Sequence, residues 1–293
     1  MKILITGSES FIGKELIRQC KDKKIEIVGM DIVPKENSDY EYYQLDIKSS
    51  KLMENIPNDI DILVHLAALS RDSDCKGKAY ECFENNVIGT LNMIKYALSR
   101  NVKQFIFSSS EWVYDELVNS ELINEDHLIN SQSLTSEYAL SKLTSEINLH
   151  QQYLQNPIDI TILRFGIIYG PRKSNWSAIE SIASQVKNNN LIEVDSLKNA
   201  RRFVHVYDIV NGIIKSFNLK GFNIINLTGD NMISIKDIIK TSERIFEKTV
   251  DIKERNPSKI NIRNPSNKKA KKFINWSPKI NLEEGIKTIQ QFI

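Results

Sequence analysis

The sequence predicts an α/β fold in which helices cover both faces of a doubly wound parallel sheet. Short apolar runs recur along the first 163 residues of the chain, and polar or amphipathic stretches of helix length separate them. The runs are continuous rather than alternating, as strands buried on both faces require. They fall at residues 3–5, 25–29, 60–65, 104–108 and 158–163.

The stretches between these runs carry apolar residues at the spacing of helix turns. Phe11, Leu16 and Ile17 form the first stripe, and residues 87–98 and 140–153 contain two more. We interpret most of these side chains as helix faces that bury against the sheet.

The second half of the chain has a different pattern. Gly170-Pro171-Arg172 interrupts it, and a helical stretch at 178–187 and shorter strands near Phe203 and Ile224 follow. This segment is long enough for a small second lobe at the carboxyl ends of the strands, where open α/β folds bind ligands. We place the boundary near residues 166–172.

Composition and charge limit the partners of this chain. Its 293 residues are 41% hydrophobic and 26% charged, which is ordinary for globular proteins. The net charge of +2 gives no field that favours nucleic acid or a membrane surface, so we expect a small-molecule partner. No stretch approaches the roughly 18 apolar residues of a membrane span, and no signal peptide is evident. Three cysteines without metal spacing favour reduced thiols and a cytoplasmic location.

A glycine motif follows the first strand. Gly7 permits a tight turn and Gly13 permits close approach of helix and sheet, while the helix start offers N–H groups to a pyrophosphate. Ser10 occupies the position of the expected middle glycine. The motif predicts a dinucleotide site, with an ordinary strand-to-helix turn as the alternative.

Two carboxylates follow later strands of the same half. Asp31 lies 18 residues beyond Gly13, where it can accept both ribose hydroxyls of adenosine and would repel a 2′-phosphate. The position of Asp31 therefore favours NAD over NADP. Asp46 is placed to bond the adenine amino group, and helix capping is the competing interpretation.

Tyr138 and Lys142 are four residues apart on a predicted helix, so their side chains project from the same face. A phenol normally keeps its proton to about pH 10, but a neighbouring ammonium stabilises the phenolate. We therefore expect Lys142 to lower the pKa of Tyr138 and to make it an acid or base for an alcohol or ketone.

These residues together resemble the extended short-chain dehydrogenases/reductases, which include the NAD-dependent nucleotide-sugar epimerases and dehydratases. The resemblance implies a Rossmann domain with NAD and the catalytic pair over residues 1–166, and a smaller substrate-binding lobe over 167–293 whose segments can return to the sheet. The motifs that carry it are Thr6-Gly7 to Gly13, Asp31, His65-Leu66-Ala67-Ala68, Asn86-Val87-Ile88-Gly89-Thr90, Ser108-Ser109-Ser110, Val113-Tyr114, Tyr138 to Lys142, Leu163-Arg164-Phe165, Tyr169-Gly170-Pro171-Arg172 and Arg201 to Asp208.

The resemblance also implies a set of residues that contact NAD. Lys142 would bind the nicotinamide ribose, and Phe165 would lie near the nicotinamide. The further candidates are Gly7, Ser10, Phe11, Ile12, Gly13, Asp31, Asp46, Ile47, Leu66, Ala67, Ala68, Asn86, Ser108 and Tyr138. Burial at strand ends and in loops is the competing interpretation for several of them.

By the same resemblance, Ser110 would hydrogen-bond the reacting oxygen. Glu111 and Trp112 stand where the sugar 4,6-dehydratases carry Asp-Glu. Trp112 cannot remove a proton from carbon, so ordinary dehydration is not expected, although Glu111 remains a candidate to act on a substrate hydroxyl. Trp112 either stacks beneath a sugar ring or fills the pocket wall.

Arg201 aligns with an arginine that grips the nucleotide pyrophosphate in the family, and Arg172 is a second candidate. A surface salt bridge is the alternative for Arg201. Two departures, Ile167 for a usual Asn and Asp115 for a usual Gly, leave the sugar undefined.

We predict an NAD-dependent nucleotide-sugar 4-epimerase that works through a transient 4-keto sugar. The alternatives are a nucleotide-sugar 4-ketoreductase or dehydrogenase, and a dinucleotide-binding protein without turnover. A homodimer through the helices around 86–98 and 135–153 is implied by the resemblance, with apolar residues on two helix faces as a hint.

Overall fold

The computed structural model describes residues 1–35, 39–49, 52–114, 121–174 and 176–293. Its strands are β1 Lys2–Thr6, β2 Glu26–Asp31, β3 Glu41–Gln44, β4 Ile62–His65, β5 Gln104–Ser110, β6 Asp159–Phe165, β7 Ile168–Tyr169, β8 Leu191–Val194, β9 Ala200–Arg201, β10 Val204–His205, β11 Phe222–Leu227, β12 Ile233–Ser234 and β13 Asp251–Glu254.

The α-helices are α1 Phe11–Asp22, α2 Leu52–Asn55, α3 Asp72–Cys75, α4 Ala79–Phe83, α5 Gly89–Ser99, α6 Glu137–Gln155, α7 Ala178–Asn188, α8 Val206–Lys215, α9 Ile235–Phe246, α10 Lys268–Phe273 and α11 Leu282–Ile289. A π-helical turn, Glu84–Ile88, joins α4 to α5, and 3₁₀ turns span Glu111–Tyr114 and Ser131–Ser133. No helix in the described ranges combines the length and apolar character that a membrane crossing requires.

The central sheet has seven strands in the order β11-β6-β5-β4-β1-β2-β3. The pairings of β1 with β2 and β4, of β2 with β3 and of β4 with β5 are parallel. The order reverses at β1, as in a doubly wound sheet. The predicted fold class is confirmed, and each of the five apolar runs forms a strand of this sheet.

The chain divides into two compact units. The first comprises Met1–Glu116, Leu128–Arg164 and Ile213–Ile225, and the second comprises Leu117–His127, Phe165–Gly212 and Asn226–Ile293. The core of the first unit is built from strand residues such as Leu4 and Phe105 and from faces of α5 and α6. The second unit has its own core between α7, α9 and α11. The functional assignment of residues 1–166 and 167–293 stays a prediction.

Candidate active site

The glycine turn after β1 requires residues without a Cβ. Gly7 has a φ of +70°, and a Cβ there would lie 2.8 Å from Ala67 N. A Cβ on Gly13 would lie 2.2 Å from Gly7 O and 2.7 Å from Ser8 O. Both glycines therefore bring β1, the loop after β4 and the start of α1 into close contact.

Ser10 is the N-cap of α1. Its Oγ accepts a hydrogen bond from Gly13 N–H at 3.1 Å, and its backbone is extended. The hydroxyl that replaces the middle glycine thus satisfies one N–H group of the first helical turn. Phe11 and Ile12, which follow it, are partly exposed in that turn.

Asp31 ends β2 beside the glycine turn. One carboxylate oxygen accepts from Glu9 N–H at 2.9 Å and the other accepts from Ile32 N–H at 2.8 Å. These backbone bonds fix the carboxylate at the carboxyl end of the sheet. Its partial exposure and remaining lone pairs suit it to accept ribose hydroxyls.

Asp46 and Ile47 follow β3. The Asp46 carboxylate accepts from Lys48 N–H at 2.8 Å, so it caps the turn at residues 46–49 rather than a helix. Ile47 is buried, and a Cβ on Gly89 would lie 2.4 Å from its Cδ1. We therefore describe Ile47 as a packing residue against α5.

The loop after β4 is held by Asn86. Ala67 N–H bonds Thr6 Oγ1 at 3.2 Å, and Leu69 N–H bonds Asn86 Oδ1 at 2.8 Å. Asn86 Nδ2 donates to Leu69 O and to Ser141 Oγ, at 3.0 and 2.9 Å. Leu66 and Ala68, the remaining candidates of this loop, flank Ala67 in the chain, and both are half-buried.

Asn86 lies in the π-helical turn, a form that is frequent at functional sites. Its side chain joins the loop to α6, while its carbonyl accepts from Ser145 Oγ and Thr90 Oγ1. Asn86 therefore supports the loop after β4 through its side chain. A contact of Asn86 with NAD stays a prediction.

Three serines end β5. Ser108 Oγ donates to His65 O at 2.9 Å and so ties β5 to β4. Ser110 Oγ accepts from Trp112 N–H at 3.2 Å, and the Ser110 hydroxyl lowers the pKa of Tyr138. Ser110 is therefore close to the phenol of α6.

Tyr138 is buried in the first turns of α6. Burial raises the pKa of Tyr138 to about 12, and the Ser110 hydroxyl opposes this rise. Burial therefore determines the direction of the shift at Tyr138, and a lowering of its pKa by Lys142 together with the nicotinamide ring stays a prediction. The physical reason for this direction is that desolvation outweighs the ammonium, whose nitrogen lies 5.9 Å from the centre of the phenol ring.

Lys142 is also buried, at 3% exposure. Its Nζ donates to Ser108 O at 2.8 Å and lies 4.8 Å from the centre of the Phe107 ring. Burial lowers the pKa of Lys142 to about 8, while Cys75, Cys82 and Glu146 oppose that shift.

Glu111 and Trp112 begin the 3₁₀ turn after β5. Glu111 is fully buried, including both of its carboxylate oxygens. Its assignment as an acid or base on a substrate hydroxyl stays a prediction. Trp112 is half-buried and packs edge-on against Tyr138, with 6.5 Å between ring centres.

Three predicted residues belong to the second unit. Phe165 is buried at the end of β6. Arg201 donates to Asn261 O and Oδ1, each at 2.7 Å. Arg172 Nε bonds the buried Glu180 at 2.8 Å, so this guanidinium is engaged within the lobe. Asp115 lies outside the described residues.

The sequence interpretation missed a buried ion pair in the first unit. Glu146, four residues beyond Lys142 on α6, is paired with Arg164 of β6 at 2.6 Å. Two signals pointed to it: the helical spacing from Lys142, and a charged residue within the apolar run 162–165 of β6.

The family model of the NAD dependent epimerase/dehydratase family matches residues 3–227. The chain belongs to this family. The family predicted from the motifs is therefore confirmed, and with it NAD as the cofactor.

Relatives of this NAD dependent family match nearly the whole chain. The UDP-glucuronate 4-epimerase of Thermodesulfobacterium geofontis is 28% identical over 97% of this chain and 93% of that protein. UDP-glucuronic acid decarboxylase 3 of Arabidopsis thaliana is 26% identical over 99% of this chain and 88% of that protein.

A solved structure is also similar. The UDP-glucuronic acid 4-epimerase of Bacillus cereus, in complex with UDP-glucuronic acid and NAD, has a TM-score of 0.88 and 25% identity. The match covers 100% of this chain and 98% of that one.

The residues of the first unit fit NAD chemically. The glycine turn leaves no room for a Cβ, and α1 begins directly after it. Ser8 Oγ in that turn is buried and has no hydrogen-bond partner within the described ranges. Together with the Asp31 carboxylate, these features match a pyrophosphate next to a ribose.

Proposed function

We propose that this protein is a nucleotide-sugar epimerase that inverts C4 through a transient 4-keto sugar. The observation that carries the proposal is that Tyr138 and Lys142 lie one turn apart on α6, both buried, and that Lys142 Nζ donates to Ser108 O at the serine-rich end of β5 at 2.8 Å. In this proposal Tyr138 is the proton acceptor, the Ser110 hydroxyl relays the proton, and Lys142 supplies a positive charge at the same site.

Tyr138 is the proposed base. Oxidation of the C4 hydroxyl requires that its proton leave the oxygen, and the phenol oxygen of Tyr138 takes it. The chemistry that NAD supplies when bound is reversible hydride transfer at C4. Tyr138 then returns the proton when the ketone oxygen is reduced, so one side chain serves both halves of the reaction.

Ser110 and Lys142 support that proton transfer. The Ser110 hydroxyl lowers the pKa of Tyr138, and we assign it to pass a proton between Tyr138 and the sugar oxygen. The Lys142 ammonium adds positive charge that favours the phenolate over the phenol. A pKa of Tyr138 near 12 means that this stabilisation must increase when substrate and cofactor are bound.

The substrate class follows from the relatives. Names of the similar proteins point to UDP-glucuronic acid as the first sugar to assay and UDP-glucose as the second. We assign NAD binding and catalysis to residues 1–166 and substrate binding to 167–293, with Arg201 as the first candidate for the diphosphate and Arg172 as the second. Trp112 is assigned to the sugar side of the site.

Two further assignments belong to the proposal. We assign a cytoplasmic location on the charge balance and the three cysteines. We also assign a homodimer, supported by the exposed apolar residues Leu140, Ile147 and Leu154 of α6, which recur every seventh position.

The test is mass spectrometry of the nucleotide released on denaturation, followed by incubation with a panel of nucleotide sugars. Stoichiometric NAD and a C4-inverted sugar without net NADH are expected. Net NADH consumption with a keto sugar would support the ketoreductase, and CO₂ release from UDP-glucuronic acid would support a decarboxylase. Bound NAD without turnover of any sugar would support the binding protein.

A further inference from the structure

Glu146 and Arg164 form a buried ion pair beside the proposed catalytic residues. Both side chains are 4% exposed. Arg164 Nη2 donates to Glu146 Oε2 at 2.6 Å, and Arg164 Nε donates to Oε1 at 3.0 Å. This bidentate geometry fixes the two planar groups relative to each other.

The pair extends to the end of β5 and to the turn that follows. Ser109 Oγ donates to the Glu146 carboxylate, and Arg164 Nη1 donates to Tyr114 OH at 2.7 Å. Ser109 adjoins Ser110, and Tyr114 ends the turn that contains Trp112. The network therefore reaches the end of β5, which carries Ser110, and the turn that carries Trp112.

The helix side of the network carries the remaining catalytic residues. Glu146 lies one turn beyond Lys142 and two turns beyond Tyr138, so the three side chains occupy one face of α6. The network thus joins α6, β5 and β6 next to the reacting groups. A buried ion pair is weak evidence for stability, and a role in fixing geometry is its better attested use.

We propose that Glu146 is a positioning residue for the reaction: paired with Arg164 and bonded to Ser109, it holds the Ser108–Ser110 end of β5 next to Tyr138 and Lys142. The inference rests on the proposed function. It adds a residue that acts through Tyr138 and Lys142 without touching substrate.

The charged and titratable groups around Lys142 come from several elements. Cys75 of α3, Cys82 of α4 and Glu146 of α6 raise the pKa of Lys142, against the effect of burial. His65 of β4 is neutral at ordinary pH, because burial and then Lys142 lower its pKa to about 3. Glu146 is the carboxylate in this set, so its removal lowers the pKa of Lys142 further.

The experiment compares Glu146→Gln with wild type in two measurements. Turnover of the nucleotide sugar across pH is expected to fall on the order of 10²-fold, the cost of a misplacement of about 1 Å. Its alkaline limb is expected to move to lower pH. Carbon NMR titration of the lysine Cε signals, assigned with Lys142→Met, is expected to show a lower Lys142 midpoint.

Two variants serve as controls. Glu137→Gln removes a carboxylate from the first turn of the same helix, outside the network, and is expected to match wild type in both measurements. Glu146→Asp keeps the charge and shortens the side chain, so the Lys142 midpoint is expected to return towards wild type while turnover recovers in part.

A folded Glu146→Gln protein with wild-type turnover and an unchanged Lys142 midpoint would overturn the inference, as would a loss of thermal stability without a shift in midpoint. If this variant does not fold, Glu146→Gln/Arg164→Gln leaves no unpaired buried charge and receives the same measurements. The same direction is expected, because Glu146 is the member of the pair that acts on Lys142. If wild type turns over no nucleotide sugar, the proposed function fails, while the NMR midpoint still tests Glu146.

Discussion

The ammonium nitrogen of Lys142 lies 2.8 Å from the carbonyl oxygen of Ser108, so a lysine of α6 is bonded to the carboxyl end of β5. Both residues are buried. A buried cation is costly unless it is hydrogen-bonded, and this bond satisfies one of its three donors. The protein thus keeps a charge at the site at the expense of stability, which is typical of functional groups.

The first prediction concerns the pH dependence of turnover. Because burial lowers the pKa of Lys142 to about 8, the ammonium loses its proton as the pH rises through that value. Turnover should therefore fall above pH about 8. The pH profile of kcat/KM for the free enzyme measures it. A profile that stays flat well above this pH would contradict the role of the Lys142 charge.

The second prediction concerns stability. Lys142 has an ordinary pKa of 10.5 in the unfolded chain and about 8 in the folded protein, so between these values the unfolded chain binds more protons. The free energy of unfolding of wild type should therefore rise with pH in this window, relative to Lys142→Met. The expected gain is on the order of 3 kcal/mol. Urea unfolding of nucleotide-free proteins measures it, and a difference that is constant with pH would refute the shift.

The third prediction is that Tyr138→Phe loses turnover and keeps NAD. The phenol oxygen is the proposed proton acceptor, and general acid–base groups contribute on the order of 10²- to 10⁴-fold. The ring remains, so packing against Trp112 is kept. Turnover and the NAD content after gel filtration are the two measurements.

A matched control for this variant is Tyr153→Phe, which removes a phenol oxygen from the same helix. Tyr153 packs against Phe222, and its ring is unchanged by the substitution. It should keep wild-type turnover. Equal turnover in Tyr138→Phe and wild type would remove Tyr138 from the mechanism.

The sheet could be predicted from the sequence because its strands are buried on both faces. Leu63 and Phe105 lie in adjacent strands at 0% exposure, and such strands appear in a sequence as unbroken apolar runs. The glycine turn could also be predicted from the sequence. A Cβ at Gly13 would lie 2.2 Å from Gly7 O, so other residue types are excluded there.

The state of the catalytic groups could not be predicted in the same way. The spacing of Tyr138 and Lys142 gave their shared face, but the sign of the Tyr138 pKa shift depends on how far the phenol is desolvated. Likewise, the position of Glu111 beside Ser110 in the chain did not reveal that its side chain is fully buried. Burial of a particular side chain depends on tertiary packing, which local patterns do not encode.

The fourth prediction addresses the hydroxyl in the glycine motif. Ser10→Gly removes the Oγ that caps α1 but restores the smallest residue where a pyrophosphate approaches. We expect tighter NAD binding, with a loss of only a few tenths of a kcal/mol in stability because glycine is itself an acceptable N-cap.

Ser10→Ala is the control, since it removes the cap without restoring glycine and should cost about 1 kcal/mol of stability. Titration of nucleotide-free protein with NAD measures the affinity, and weaker binding by Ser10→Gly would show that the hydroxyl contributes to the site.

The fifth prediction tests the proposed dimer. Ile147 lies at the centre of the α6 stripe and is 55% exposed, with Leu140 and Leu154 one heptad away on either side. A charge placed there would be desolvated in a dimer through this face, so Ile147→Glu should convert the protein to a monomer while it stays folded. Sedimentation velocity at several protein concentrations measures the mass, and circular dichroism checks the fold.

Leu128→Glu introduces the same charge at a 90% exposed leucine outside the stripe, and it should sediment as wild type does. A wild-type monomer, or an Ile147→Glu protein that keeps the wild-type mass, would mean that this face of α6 does not join two copies of the chain.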